Sequence, residues 1–204
     1  MLTNLGLIKF IKTKLGTPYV YGMKGTVLTL AKYNSLKAQY GNLIWDSDKN
    51  KIGKICCDCS GLISWYTGII RGSTQYKELA KKVYPISTIK DAPIGAAVWK
   101  QGHIGVYIGN GEYIAEDGSA YGCRKNKLSN ASFTHWFKII DIQYIEEEDD
   151  EVVEKAKIKI NGVYYTVSRI LKDGINYIKI RDLAQAGFKI SNEKDVAVLE
   201  FHDK

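Results

Sequence analysis

Apolar residues at Leu5, Ile8, Ile11 and Leu15, with Lys9, Lys12 and Lys14 between them, follow helical spacing and predict a helix to about Leu15. A turn through Gly16-Thr17-Pro18 leads to an extended Tyr19-Val20-Tyr21-Gly22. Residues 26–40 return to a helical pattern, with Val27, Leu30, Ala31, Leu36 and Tyr40 as buried positions, and residues 46–54 form a polar loop. The apolar run Leu62-Ile63-Ser64-Trp65-Tyr66 predicts a helix from Cys59 to about Gly68, and a short helix follows at 74–82. From Ala96 the chain breaks into short extended runs at 96–100, 103–108, 112–115, 124–128 and 138–144. Turns at Gln101-Gly102 and Gly109-Asn110-Gly111 separate the first three runs, which reads as an antiparallel meander. Helices first and sheet afterwards is an α+β arrangement.

The six acids of 146–151 repel one another and bury nothing, so residues 146–154 read as a solvated linker between a domain at 1–145 and a module at 155–204. In that module Asn161-Gly162 joins two alternating runs as a hairpin turn. Extended 175–180, helical 181–186 and extended 196–201 complete it, and about 50 residues is a marginal size for independent stability.

The chain has 204 residues, 45% of them apolar, enough for a packed core. Its net charge of +7 is unevenly spread: residues 1–145 carry 19 Lys and Arg against 9 Asp and Glu. A basic body implies an acidic partner: nucleic acid, anionic lipid, or the teichoic acid and carboxylates of a bacterial wall. The lysines are scattered and no DNA-reading motif is visible, which argues against nucleic acid. Lysines also interrupt the first apolar stretch, and no run approaches the ~20 apolar residues of a membrane span, so neither a signal peptide nor an anchor is expected.

Three of the four cysteines, Cys56, Cys57 and Cys59, crowd into four positions, where mutual bridging is strained; reduced thiols are expected. Cys56 and Cys59 have zinc-like spacing, but no second ligand pair accompanies them. Cys59 at a helix start suits a thiolate, because the unpaired N–H groups of the first turn stabilise S⁻ and are expected to lower its pKa. A structural cysteine fits the same position, so a nucleophile needs a base. Of the three histidines, His103 opens an extended run in which it shares a face with Gly105, which is read as open space beside the imidazole. Packing the Cys59 helix across that sheet brings thiol and imidazole together as in a cysteine hydrolase. His135, among aromatics, reads as packed or surface, His202 as exposed, and Cys56, Cys57 and Cys123 as small buried residues.

Three blocks, Gly16-Thr17-Pro18-Tyr19-Val20-Tyr21-Gly22, Asp58-Cys59-Ser60-Gly61-Leu62 and His103-Ile104-Gly105-Val106-Tyr107-Ile108-Gly109, resemble in order the signatures of the NlpC-type cell-wall cysteine peptidases. The resemblance covers about residues 5–145. It implies a papain-like α+β fold that cleaves peptidoglycan stem peptides between D-glutamate and the adjoining diamino acid, with no cofactor and no metal. It implies Cys59 as nucleophile and His103 as general base. Tyr19, Asp58 and Ser60 would line the substrate pocket, with Asp58 able to pair with a free amine; Asp58 also reads as a helix cap. The family's third catalytic position aligns with Ala115, so Glu116, brought back by a bulge, is expected to orient the imidazole, with Asp117 as runner-up and a backbone carbonyl as a third choice.

Residues 23–57 form an insert that resembles the arrangement in lysins of clostridial phages; with the expected lack of a signal peptide, this resemblance implies a phage-type endolysin, made in the host cytoplasm and acting on the cell wall. Residues 157–201 weakly resemble the stalk module related to the N-terminal domain of copper amine oxidases, without its copper ligands. Wall attachment and a mere folding or dimerising appendage are both open for it. Two rival functions stand beside the endopeptidase: an amidase cutting between muramic acid and L-alanine with the same pair, and a non-catalytic wall-binding or zinc-stabilised protein. The partner expected is peptidoglycan with wall teichoic acid, with no nucleic acid and no membrane.

Overall fold

The computed structural model describes residues 1–145, 153–172, 174–193 and 196–201. The acidic block 146–151, with most of the expected linker, and His202 lie outside the described residues. The chain divides into two compact units, Met1–Glu146 and Glu147–Lys204.

The first unit is built on six antiparallel strands: β3 (Val83–Pro85), β4 (Ala97–Lys100), β5 (His103–Gly109), β6 (Glu112–Glu116), β7 (Cys123–Lys127) and β8 (His135–Phe137). Their spatial order is β3-β8-β4-β5-β6-β7. Helices α1 (Asn4–Lys12) and α3 (Cys59–Thr67) cover one face, where Leu7, Ile8, Ile11, Leu62 and Ile63 pack on Ala97, Trp99, Ile104, Val106, Ile114 and Phe137. Val98, Tyr107, Tyr113, Ala115, Phe133 and Trp136 pack together on the other face.

A nine-residue helix such as α3 is too short to persist alone. Burial of Leu62 and Ile63, each contributing roughly 2 kcal/mol, holds it on the sheet. Asp58 caps its start, and Gly68, in the left-handed region, ends it.

The expected insert builds its own small core. Strands β1 (Lys24–Val27) and β2 (Ile55–Cys57) pair with each other, and α2 (Leu30–Tyr40) buries Tyr33 and Leu36 against Val20, Met23, Leu28, Ile44 and Cys56. The helix expected over 26–40 therefore begins later, because Val27 pairs with Ile55 and the Thr29 hydroxyl caps α2 by accepting from Lys32 N–H. Similarly, α1 stops at Lys12, short of Leu15, because the chain turns to hydrogen-bond Gly16 N–H to the Cys123 carbonyl. The short helix α4 (Ser73–Glu78) ends before the expected residue 82, and β3 follows. The strand expected at 138–144 lies earlier, at His135–Phe137, where Trp136 and Phe137 are buried.

Lys51 ties three loops together. Its ammonium donates to Asp48 Oδ1 at 2.6 Å, the Tyr19 carbonyl at 2.7 Å and the Ser119 carbonyl at 2.9 Å, and Asp48 is fully buried. Lys51→Met leaves that carboxylate without its cation and is expected to lower unfolding free energy by about 3 kcal/mol. Urea unfolding at neutral pH checks this.

In the second unit β9 (Glu154–Ile160), β10 (Val163–Lys172) and β11 (Ile175–Ile178) form an antiparallel sheet, with β10 central, and β12 (Phe188–Glu193) pairs with β13 (Val196–Phe201). Asn161 and Gly162 both adopt positive φ, as the turn between β9 and β10 requires. The stretch 181–186 is a 3₁₀ turn, Ile180–Ala186, tied to β10 by Ser168 N–H on Asp182 Oδ2. Buried apolar content is small: Val167 is fully enclosed, while Tyr164, Leu171, Ile175 and Tyr177 are exposed.

Candidate active site

Cys59 is the first residue of α3, where the Asp58 cap and the β2 strand before it fix the approach of the chain. Gly61 is demanded by close packing: a Cβ there would lie 2.4 Å from the Met23 carbonyl oxygen and 2.9 Å from Cys57 Sγ. The N–H groups of Ile104 and Ser60 favour the Cys59 thiolate. The sulfur thus sits at the start of β5, beside the residue that follows His103.

The lowered thiol pKa expected from the helix start is not found. Burial, and then the Asp58 carboxylate, push Cys59 up to about 12, against the opposing effects of Ile104 N–H, Lys24 and Ser60 N–H. At rest Cys59 is a thiol, and its ionisation requires a proton acceptor.

His103 opens β5, and its Nε2 lies 3.2 Å from Asp117 Oδ1. Arg124 Nε donates to Asp117 Oδ2 at 2.6 Å and Tyr113 Oη donates to the same oxygen at 3.2 Å. Burial alone would raise the Asp117 pKa, but hydrogen bonds from His103 and Arg124 and their charges hold it below the usual carboxylate range. With Nε2–H committed to this carboxylate, Nδ1 is the nitrogen left to accept a proton. Phe133 stacks on the imidazole with ring centroids 5.6 Å apart, and Tyr113 meets Phe133 edge-on.

The carboxylate bonded to the imidazole is Asp117, whereas the expected Glu116 makes no hydrogen bond to it. Strands β5 and β6 pair Val106 with Ile114 and Tyr107 with Tyr113. Continued toward the start of β5, that register sets Gly105 opposite Ala115 and His103 opposite Asp117, all on one face. Glu116 has the opposite parity, and no bulge near it reverses this. Two further expectations are corrected. Gly105 does not leave open space, since a Cβ there would lie 3.1 Å from both Ala115 Cβ and Tyr113 Cδ2. Helix α3 packs on the Ile104 and Val106 face, opposite the face shared by His103 and Gly105, so Cys59 reaches the start of β5 from the other side.

Glu116 is fully buried, and neither carboxyl oxygen has a hydrogen-bond partner among the described residues. Burial, reinforced by the Asp58 carboxylate, raises its pKa to about 9, so it is uncharged at neutral pH. Its folded pKa exceeds its unfolded one, so its effect on stability becomes progressively less favourable as pH rises between the two. Glu116→Gln is expected to match the parent at pH 4 and to exceed it by on the order of 2 kcal/mol at pH 8, as read by urea unfolding at both pH values.

Asp58, 5% exposed, accepts from Gly61 N–H at 2.6 Å as the helix cap and from Gly22 N–H at 3.0 Å. The expected pairing of Asp58 with an outside amine meets an internal one: Lys24 Nζ lies 2.8 Å from each Asp58 carboxylate oxygen and 2.7 Å from Ser60 Oγ. Tyr19 bridges to Cys57 in the backbone, and its hydroxyl pKa is raised by burial and then by Cys59 and Asp58 nearby. All six sequence-derived residues therefore lie around the start of α3 and the adjoining ends of β5 and β6. Asp117 was the runner-up for its role; Lys24, Arg124 and Phe133 were not singled out in the sequence.

A groove of about 740 Å³ runs past Cys59, lined by Lys24, Asp58, Ser60, Arg71, Gly72 and Gln101 among others. His103 and Asp117 border a second hollow, of about 240 Å³, with Phe133 and Arg124. Cys56, Cys57 and Cys123 are buried free thiols whose pKa values burial raises.

No family model matches the chain, and no curated protein matches it. Among solved structures it is similar to the peptidoglycan hydrolase RipB from Mycobacterium tuberculosis, at 24% identity and TM-score 0.46, over 69% of this chain and 65% of RipB. It is also similar to the NlpC/p60 domain of the peptidoglycan hydrolase SagA, at 16% identity and TM-score 0.44, over 68% of this chain and 100% of that domain. A third similar structure is the P60 domain of antigen MAP1204 from M. avium subspecies paratuberculosis, at 23% identity and TM-score 0.44, over 67% of this chain and 94% of that domain.

Proposed function

We propose that this chain is a peptidoglycan hydrolase of the NlpC type, a cysteine endopeptidase that cuts stem peptides between D-glutamate and the adjoining diamino acid. The observation that carries the reading is a helix-start thiol set on the N–H of Ile104, next in the chain to His103, whose imidazole Nε2 is held by Asp117. Such an arrangement needs no metal and no cofactor to open an amide.

In this reading Cys59 gives its proton to His103 Nδ1 as the sulfur attacks the scissile carbonyl carbon. First-turn N–H groups of α3 face the oxyanion that forms. The His103 imidazolium protonates the departing amine and the C–N bond breaks, leaving a thioester on Cys59. His103 then takes a proton from water, whose oxygen attacks the thioester and frees the thiol. Asp117 stabilises the imidazolium between these steps, and Arg124 keeps Asp117 ionised.

The proposal extends to a phage endolysin acting on the wall from within the host, with residues 155–204 attaching to the wall and its teichoic acid. Mass spectrometry of muropeptides from digested sacculi tests the bond: free L-Ala-D-Glu ends are expected. Intact stem peptides released from muramic acid would replace the endopeptidase with the amidase, and wall binding without released fragments would make the chain a binding protein.

A further inference from the structure

We infer that Lys24 fills the cation position beside the nucleophile, so that the groove selects stem peptides whose amino terminus is acylated over those presenting a free ammonium. The inference rests on the endopeptidase reading for its substrate class. Its physical basis is the acceptor set of Asp58 and Ser60, which borders Cys59 and lines the groove.

Both Asp58 oxygens and Ser60 Oγ are held by the Lys24 ammonium at 2.7–2.8 Å. The remaining capacity of the carboxylate is taken by Gly22 N–H, Gly61 N–H and the Ser60 hydroxyl. A second ammonium entering this position would find its acceptors occupied and a like charge within contact. Lys24 reaches the site from β1, in the insert, and its side chain remains 20% exposed on the groove side. It can therefore still donate to an oxygen acceptor of the substrate, such as the carbonyl of an acylated amino terminus. The cationic side chains of Lys32 and Arg71 lie along the same groove, and Arg71 is itself paired with Asp141. Among the described residues the groove near Cys59 thus offers no free anion to a cationic substrate end, and it has a donor for a neutral or anionic one.

The test compares one stem peptide in two forms, with a free and with an N-acetylated amino terminus, binding to Cys59→Ala protein by calorimetry. The acetylated form is expected to bind at least about tenfold tighter, since a like-charge contact penalises the other. Adding Lys24→Met frees Asp58 and is expected to shift the ratio by about tenfold or more toward the free amine, whereas Lys24→Arg keeps the parent preference. Thermal melts of each variant accompany the titrations, and Lys24→Gln replaces Lys24→Met if that protein does not fold.

Tighter binding of the free-amine form with Lys24 in place, no change of ratio on Lys24→Met, or no binding of either form overturns the inference. Hydrolysis by protein retaining Cys59 is measured separately. Its absence with both peptides and with sacculi removes the endopeptidase reading while the binding ratio still reports on Lys24.

Discussion

Cys59→Ala is expected to reduce wall hydrolysis by at least about 10⁴-fold, and His103→Ala by a similar factor, because a nucleophile and its base act as one unit. The burial of Cys59 sharpens this expectation. A thiol pushed up to about 12 supplies almost no thiolate at pH 7 on its own, so transfer of its proton to His103 is required for attack. Neither substitution removes a core contact of the size that unfolds a domain: Cys59 is one small residue in a large cluster, and the His103 ring is partly exposed. Both variants should keep melting temperatures near the parent value. Turbidity loss of purified sacculi, with melting curves of the same samples, checks the pair.

The second large effect is at Asp117. Asp117→Ala frees the imidazole to rotate and to place its proton on Nδ1, and is expected to lower kcat by about 10²- to 10⁴-fold. Asp117→Asn keeps the shape and loses the charge that stabilises the imidazolium, so it should fall in the same range. Arg124→Ala acts only through Asp117 and is expected to cost about tenfold. Glu116→Gln, by contrast, should leave kcat within about threefold, since its carboxyl is uncharged and faces away from the imidazole. Kinetics on a soluble stem peptide separate the four, and an ordering with Glu116→Gln below Asp117→Asn would reverse the assignment.

That contrast shows where reading residues alone stops. The start of α3 at Cys59 is marked by Asp58 as a cap and by the apolar run behind it, and the start of β5 at His103 by alternation and by the Gln101-Gly102 turn. Local signals fix both. The partner of His103 depends on the register of β5 against β6, which two strands settle only when they pair. Strand parity did argue against Glu116, and the structure contains no bulge to overrule it. Lys24 was hidden for a different reason: its contact with Asp58 spans 34 positions and depends on the turn at Gly22 that carries β1 across the head of α3. The three-residue strands β2, β3 and β8 are too short to show a period, so pairing partners rather than pattern define them.

The most direct measurement of the central claim, that Cys59 and His103 work as one nucleophile, is alkylation by a small excess of iodoacetamide at pH 7, followed by intact mass and peptide mapping. The parent protein should gain a single adduct at Cys59, while the buried Cys56, Cys57 and Cys123 stay unlabelled. His103→Ala should slow that adduct by at least about tenfold, to the rate of a buried thiol. Labelling at another cysteine, or a Cys59 rate indifferent to His103, would contradict the account.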